Sequence, residues 1–400
     1  MASLNLLFVH EVSYEKKPIF EMHEFPEHLA ANGHKVTFLQ FDEGFKFWRN
    51  KRLPETKTIS GRVLPRVKLD IVTPFQFGIP GLDRIWATIS VWPVLDRLLK
   101  KQKFDAIVLY AVPTYGHQVI QLAEKYSIPV VFRALDVSHL IRKSALSPLI
   151  KSAEKYVYEH ADVLSANNPA LARYCDELGS RNSNTVVNLP PLDVYHFASA
   201  KRDENIRRRL GISEKDRVVA YMGSFFYFSG LDIVLRDFVS FAKADSSLKL
   251  LLIGGGEQET ELKAIVAKNR LEKQVIFTGF IPYGDLPSYL KQADVAINPM
   301  QAREVSDLAM PHKLLQYVSA GIESISTRLR GAVETFGEAG VVTWANDPHD
   351  VLKLAVEALN SKNPDATESG MIGDAFLKQF SQDQSVRAFE NILTLPRLEA

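Results

Sequence analysis

Ser306-Asp307-Leu308-Ala309-Met310-Pro311-His312-Lys313-Leu314-Leu315-Gln316-Tyr317-Val318-Ser319-Ala320-Gly321 reads as a helix that sets a cation beside free backbone amides at its start. Pro311 suits the first helical position, where its missing N–H is no loss, and Gly321 suits the C-terminal end. Leu314, Leu315, Tyr317 and Val318 fall on a buried stripe, which puts His312 and Lys313 in the first turn. A lysine there opposes the helix dipole. A phosphate or diphosphate as counter-charge resolves the conflict. The alternative is a solvated lysine behind an ordinary proline-started helix.

Working outward, short β-branched runs alternate with amphipathic segments. In the first half strands are expected at Asn5 to Val9, Lys35 to Gln40, Ala106 to Tyr110, Val130 to Arg133, Val163 to Ala166 and Thr185 to Leu189, with helices such as Met22 to Asn32 and Thr114 to Tyr126 between them. After the charged stretch Lys201 to Arg209 the rhythm restarts. Strands are expected at Val218 to Met222, Lys249 to Ile253, Val275 to Thr278, Val295 to Asn298, Glu323 to Ser326 and Gly340 to Trp344. Such alternation predicts two α/β domains, each a doubly wound parallel sheet covered on both faces. Ligands of such sheets bind outside the carboxyl ends of the strands, and two domains facing one another would close a deep cleft.

Length agrees: 400 residues exceed one ordinary core. With 46% hydrophobic and 24% charged residues the composition is that of a soluble globular protein. The 48 basic and 47 acidic residues leave a formal charge of +1, which gives no nucleic-acid footprint. A single cysteine, Cys175, excludes an intrachain disulfide framework and a cysteine-rich metal site. Met1 runs almost directly into Leu6-Leu7-Phe8-Val9 without a basic leader, so a cytoplasmic protein is expected. Ile85 to Leu99 contains Pro93, Asp96 and Arg97 and is not expected to span a membrane.

Five segments of the second half occur in the order found in one large family: Ala220-Tyr221-Met222-Gly223-Ser224 with Ser229-Gly230-Leu231-Asp232; Leu250-Leu251-Leu252-Ile253-Gly254-Gly255-Gly256; Val275-Ile276-Phe277-Thr278-Gly279-Phe280; Gln292-Ala293-Asp294-Val295-Ala296-Ile297-Asn298-Pro299; and the opening helix. Together they resemble the donor-binding domain of GT-B glycosyltransferases, in particular the retaining family 4. The first domain is similar more loosely, through Leu29 to Val36, through Ile128-Pro129-Val130-Val131 with Asp136, and through Asn188, Asp193 and Phe197. Phe380-Ser381-Gln382-Asp383 with Phe389 resembles the helix that returns to the first domain.

The resemblance implies an acceptor-binding domain over 1–198, a nucleotide-sugar domain over 199–372 and a returning helix over 373–400. It implies Lys313 and Asp136 as catalytic residues. The implied donor contacts are Gly223, Ser224, Ser229, Gly255, Phe280, Ile281, Arg303, Leu308, Met310, His312 and Gln316, and the acceptor candidates are Tyr14, Lys16, Lys17 and His23. Several positions depart from the family. Ser224 and Ser229 stand where it carries arginine and lysine, Leu308 and Gln316 where it carries two glutamates, and Leu135 where a histidine precedes the aspartate. Gln316 retains hydrogen-bonding capacity toward a ribose hydroxyl; Leu308 offers only apolar surface.

Each candidate has a plain structural alternative: a turn cap for Asp136, a dipole-favouring first turn for His23 and Glu24, a simple turn for Gly254-Gly255-Gly256, a solvated loop for Lys16 and Lys17. No Asp-x-Asp pair follows an apolar strand in a metal-binding context, so neither a metal nor another cofactor is expected. Phe41, Phe45, Phe47 and Trp48 interleave with Lys46, Arg49, Lys51 and Arg52, and Trp86 and Trp92 precede Arg97, Lys100, Lys101 and Lys103. That pattern suits the inner face of an anionic membrane and a lipid-linked or glycan acceptor; packing within the first domain is the alternative. The expected activity is metal-independent retaining transfer from a nucleotide-sugar donor in surface polysaccharide or glycolipid assembly. A non-catalytic partner subunit and a nucleotide-sugar epimerase are the competing readings.

Overall fold

The apolar runs become parallel strands and the amphipathic segments become helices in a computed structural model that describes residues 2–42, 54–76, 83–110, 112–141, 146–179, 184–337, 340–361 and 378–395. By its contacts the chain divides into Met1–Pro191 with Asp383–Ala400, and Leu192–Gln382.

In the first unit the strands are β1 (Asn5–Val9), β2 (Lys35–Leu39), β3 (Glu55–Ser60), β4 (Lys68–Thr73), β5 (Ala106–Leu109), β6 (Val130–Ala134), β7 (Val163–Ala166) and β8 (Thr185–Val187). They form one sheet in the order β3-β4-β2-β1-β5-β6-β7-β8, parallel except for β3. Helices α1 (Glu21–Ala31), α2 (Asp83–Lys101), α3 (Gly116–Lys125), α4 (Ser138–Ile141), α5 (Ser147–His160) and α6 (Pro169–Leu178) connect them. The sequence pattern did not show the β3–β4 hairpin. β3 reads Glu-Thr-Lys-Thr-Ile-Ser and is largely exposed, a polar edge strand of the kind that blocks further pairing.

The second unit contains α7 (Val194–Ser199), α8 (Glu204–Arg209), β9 (Arg217–Met222), α9 (Leu231–Ala244), β10 (Leu248–Ile253), α10 (Glu259–Asn269), β11 (Val275–Gly279), α11 (Leu286–Leu290), β12 (Val295–Asn298), α12 (His312–Ser319), β13 (Glu323–Thr327), α13 (Arg330–Phe336), β14 (Val342–Ala345) and α14 (Pro348–Ser361). Its sheet is all parallel, in the order β11-β10-β9-β12-β13-β14. The order reverses between β9 and β12, and ligands of open α/β sheets settle at such a switch point. The loops that matter here are therefore the one after β9, which holds Gly223, and the one after β12, which leads into α12. In the first unit the reversal falls between β1 and β5, beside His10 and Glu11.

Two boundaries differ from the sequence expectation. The segment 192–198, assigned to the first domain, belongs to the second unit, because Leu192, Val194 and Phe197 are buried there and α7 packs against α12. The last helix, α15 (Gln382–Ile392), lies from Asp383 onward in the first unit. There Phe389 packs on Phe25 with ring centres 4.3 Å apart, and Asn32 Nδ2 donates to Glu390 Oε1 at 2.7 Å. Phe45, Lys46, Phe47, Trp48, Arg49, Lys51 and Arg52 lie outside the described residues. Phe41 is buried under the Arg84 guanidinium, 5.1 Å from its ring centre, and belongs to no surface patch.

Candidate functional site

The second unit gathers its candidate residues where the sheet order reverses. Loops after β9, β10 and β11 are stitched together by backbone hydrogen bonds: Gly223 N–H to Ile253 at 2.9 Å, Phe225 N–H to Gly255 at 3.0 Å, and Gly254 N–H to Gly279 at 3.0 Å. Gly254 has φ +128°, and a Cβ there would stand 2.1 Å from the Gly223 carbonyl oxygen, so only glycine lets these loops approach. The result is a floor of rigid backbone.

Over that floor lies Lys313, half-buried on α12. A Cβ on Gly223 would come within 3.2 Å of its Nζ, so the glycine leaves the space that the lysine fills. The ammonium donates to the Tyr221 hydroxyl at 2.8 Å, and that hydroxyl donates to the Ser224 carbonyl at 2.9 Å. Burial pushes the Lys313 amine down to about 7. Helix and strand are also pinned one turn later: Met222 N–H donates to the Tyr317 hydroxyl at 2.7 Å. Neither tyrosine was singled out by sequence reasoning, since each contact spans more than 90 residues and leaves no local signal.

The helix itself begins one residue later than expected. Pro311 is the N-cap with ψ 117°, and Leu314 N–H closes the first turn on its carbonyl at 2.9 Å. His312 and Lys313 are the first helical residues, in the turn whose N–H groups point out of the helix start. Leu308 and Met310 are buried in the preceding loop, and Gln316 is buried on α12. Ser224 is partly exposed beside Gly223, whereas Ser229 is buried against Tyr221 and does not face solvent. Arg303 is exposed, its guanidinium 5.8 Å from the centre of the Tyr227 ring. Phe280 is 65% exposed, and its ring covers Gly255, where an added Cβ would meet it at 3.1 Å; Ile281 beside it is half-buried. An exposed ring fixed over a glycine loop is a surface on which a flat ligand stacks.

In the first unit Asp136 follows β6, at the carboxyl end of the sheet. It is exposed, yet desolvation by the surrounding protein and the charge of Glu21 push its carboxyl up to about 6. Beneath it Arg133 is fully buried and forms a two-pronged pair with Glu21, 2.7 and 2.9 Å, while donating to the Asn188 carbonyl at 2.7 Å. Leu135, in place of the family's histidine, packs partly buried against the core.

The acceptor candidates fare unequally. Tyr14 and His23 are fully buried, contrary to the expectation that they face a ligand. The loop after β1 folds inward, so that the Tyr14 hydroxyl donates to Glu27 at 2.5 Å and a His23 ring nitrogen meets the Tyr14 carbonyl at 2.7 Å. Burial pushes His23 down to about 4, leaving a neutral ring held by the backbone. Glu27 in turn accepts from the backbone N–H groups of Arg62, Val63 and Leu64 at 2.6 to 2.7 Å and anchors the β3–β4 turn. Lys16 is exposed and paired with Asp42, and Lys17 is half-buried. Glu11, also missed, caps α3 by accepting from Thr114 N–H at 2.5 Å and Tyr115 N–H at 3.1 Å.

Two family models match this chain. One described as Glycosyl transferases group 1 covers residues 202–369, and one described as Glycosyl transferase 4-like domain covers residues 22–191. The chain belongs to the GT-B glycosyltransferases of this group 1, family 4-like type. Among similar proteins, the N-acetyl-alpha-D-glucosaminyl L-malate synthase of Bacillus anthracis is 23% identical to this glycosyltransferase over 92% of the chain and 91% of the relative. The solved sucrose-phosphate synthase of Thermosynechococcus elongatus superposes with a TM-score of 0.79 at 15% identity, over 99% of this chain and 100% of its own. The HepE protein of Anabaena, solved in complex with UDP and glucose, superposes with a TM-score of 0.71 at 14% identity, over 98% and 100%. At such identities the structural likeness establishes the two-domain fold. Among the described residues of this glycosyltransferase no helix is long and apolar enough to cross a membrane.

Proposed function

We propose that this glycosyltransferase moves a sugar from a nucleoside-diphosphate donor to an acceptor hydroxyl with retention, without a divalent ion or other cofactor. Lys313 carries the reading: a desolvated amine whose proton affinity has been lowered to about 7, held over Gly223 at the head of α12. Among the described residues its charged form meets the neutral Tyr221 hydroxyl and no carboxylate. When the bond from the anomeric carbon to the diphosphate oxygen breaks, its electron pair stays on that oxygen. Lys313 and the first-turn amides of α12 meet the growing charge. The acceptor oxygen bonds to the anomeric carbon on the same face, and its proton passes to the departing phosphate.

Phe280 and Ile281 suit the base, Gln316 a ribose hydroxyl, and Gly223, Ser224, Gly255 and Arg303 the diphosphate; Leu308, Met310 and His312 border the sugar, with Ser229 acting through Tyr221. Asp136, with its raised proton affinity, suits a hydrogen bond to a sugar hydroxyl. Lys16 and Lys17 remain on the acceptor side. A cytoplasmic enzyme acting on a lipid-linked acceptor at the inner face of an anionic membrane, in glycolipid or polysaccharide assembly, completes the reading. Solved neighbours that hold UDP make it the first nucleotide to try.

The test is thermal unfolding with UDP and GDP at millimolar concentration in the presence of a chelator, since a ligand of the folded state raises the melting temperature. A donor screen with anomeric analysis of the product follows. The absence of any diphosphate shift refutes the donor site, shift without turnover identifies a partner subunit, and an epimerised donor identifies an epimerase.

A further inference from the structure

We propose that His10 seats the acceptor substrate, its Nε2–H donating to a hydroxyl oxygen of an uncharged sugar ring. The inference deepens the proposed function, since it rests on the first unit being the acceptor side. Three polar groups stand at the carboxyl ends of three adjacent strands of that unit: His10 after β1, Tyr110 after β5 and Asp136 after β6. The sheet order reverses between β1 and β5, which is where a ligand of this sheet settles.

The imidazole of His10 is fixed before any ligand arrives. It lies flat on Tyr110, ring centres 5.1 Å apart and planes within 7°, and Phe20 meets it nearly at right angles with centres 6.5 Å apart. Its Nδ1 accepts the Glu11 N–H at 2.8 Å, so the proton of the neutral ring sits on Nε2. Burial, with His23, Lys17 and Arg84 adding to it, pushes the imidazole down to about 3, which leaves Nε2 a neutral donor at ordinary pH. That donor has no partner among the described residues, and His10 is half-buried rather than enclosed. The hydroxyl of Tyr110, a residue only 8% exposed, is likewise without a partner among them. A donor held out of water and left unpaired costs free energy that a ligand oxygen recovers.

Charge selects the kind of ligand. Arg133 is matched by Glu21, and Arg84 by Glu11 at 3.2 Å. Asp136 is exposed and makes no ion pair among the described residues, so this end of the sheet presents a carboxylate together with two neutral donors. A sugar ring matches both, because a hydroxyl accepts a hydrogen bond as well as donating one. A phosphate or carboxylate would accept from His10 but be repelled by Asp136. Lys17, half-buried on the loop after β1, is the cation that an anionic acceptor would use, which makes anions the control.

The test is a nuclear magnetic resonance titration of the full chain, its histidines isotopically labelled, with methyl β-D-glucoside and methyl α-D-mannoside, and with L-malate and inorganic phosphate as the anions. The His10 signals, assigned by their loss in His10→Phe, should show the Nε2–H tautomer at neutral pH and should move with a glycoside but with neither anion. His10→Phe keeps an aromatic ring on Tyr110 and should weaken glycoside binding about tenfold, read from the ligand's own signals. His10→Gln returns an N–H donor and should recover most of that loss. Both variants should keep the wild-type melting temperature and its shift by UDP. A wild type whose His10 responds to neither glycoside, an equal response to L-malate or phosphate, or His10→Phe binding as the wild type does would each overturn the proposal. So would equal losses in His10→Phe and His10→Gln, since the ring and not the donor would then matter. A glycoside response without a UDP melting shift leaves this inference standing and removes the donor site; the reverse removes this inference alone.

Discussion

The Lys313 ammonium donates to the Tyr221 hydroxyl at 2.8 Å while lying 4.1 Å from the centre of the same ring. A neutral hydroxyl and a π face hold the cation in place without cancelling its charge. The lysine is oriented and desolvated before any ligand arrives, which is what stabilising a leaving diphosphate requires.

Replacing Lys313 by alanine should lower turnover at least about tenfold, equivalent to roughly 1.4 kcal/mol of lost transition-state stabilisation. The fold should persist, because the variant removes a desolvated charge that opposes the helix dipole. Steady-state kinetics and the UDP-induced melting shift check both halves; full activity with an unchanged shift would make Lys313 a structural residue.

Nucleotide affinity should depend on pH. The amine changes from 10.5, its ordinary value, to about 7 in the fold, so between those values the unfolded chain holds a proton the folded chain lacks. This group's contribution to stability therefore rises with pH across that window. A diphosphate needs the charged form, so the two trends oppose. Affinity for UDP should be flat below about pH 7 and fall by up to roughly tenfold per unit above it. Calorimetric titration at several pH values reads the slope, and Lys313→Ala should abolish it.

Gly254→Ala should cost at least about 3 kcal/mol in urea unfolding, because its positive φ strains an L-residue and the new Cβ meets backbone that has nowhere to move. Any folded fraction should bind diphosphate more weakly, since the Gly223 carbonyl is the displaced atom. Wild-type stability would contradict the close packing of these loops.

Arg133→Ala should destabilise by about 3–5 kcal/mol, as it leaves Glu21 buried without its partner. Arg133→Met combined with Glu21→Leu should recover much of the loss, because the pair is then replaced by apolar volume. Denaturant titration of the single and double variants decides; equal losses in both would mean that the other contacts of Arg133 dominate.

The periodicity of the chain was enough for the alternating strands and helices, since buried parallel strands are nearly continuous apolar runs. Asn5–Val9 and Val295–Asn298 fall where the pattern places them. The β3–β4 hairpin escaped because its edge strand is polar and buries little. Tyr14 and His23 misled for a related reason: a histidine and a tyrosine near a helix start look reactive, and nothing local reveals that Glu27 and the Tyr14 carbonyl absorb them.

By itself the sequence determined the two doubly wound units, the order of their glycine loops and the helix that carries Lys313, because each depends on residues close together along the chain. The tertiary structure decided what those residues meet. Lys313 finds Tyr221, Arg133 finds Glu21, Tyr317 finds Met222, and His10 finds Tyr110. Such contacts join residues tens of positions apart and arise only when the sheet order brings distant strand ends together, which no local pattern of side chains encodes.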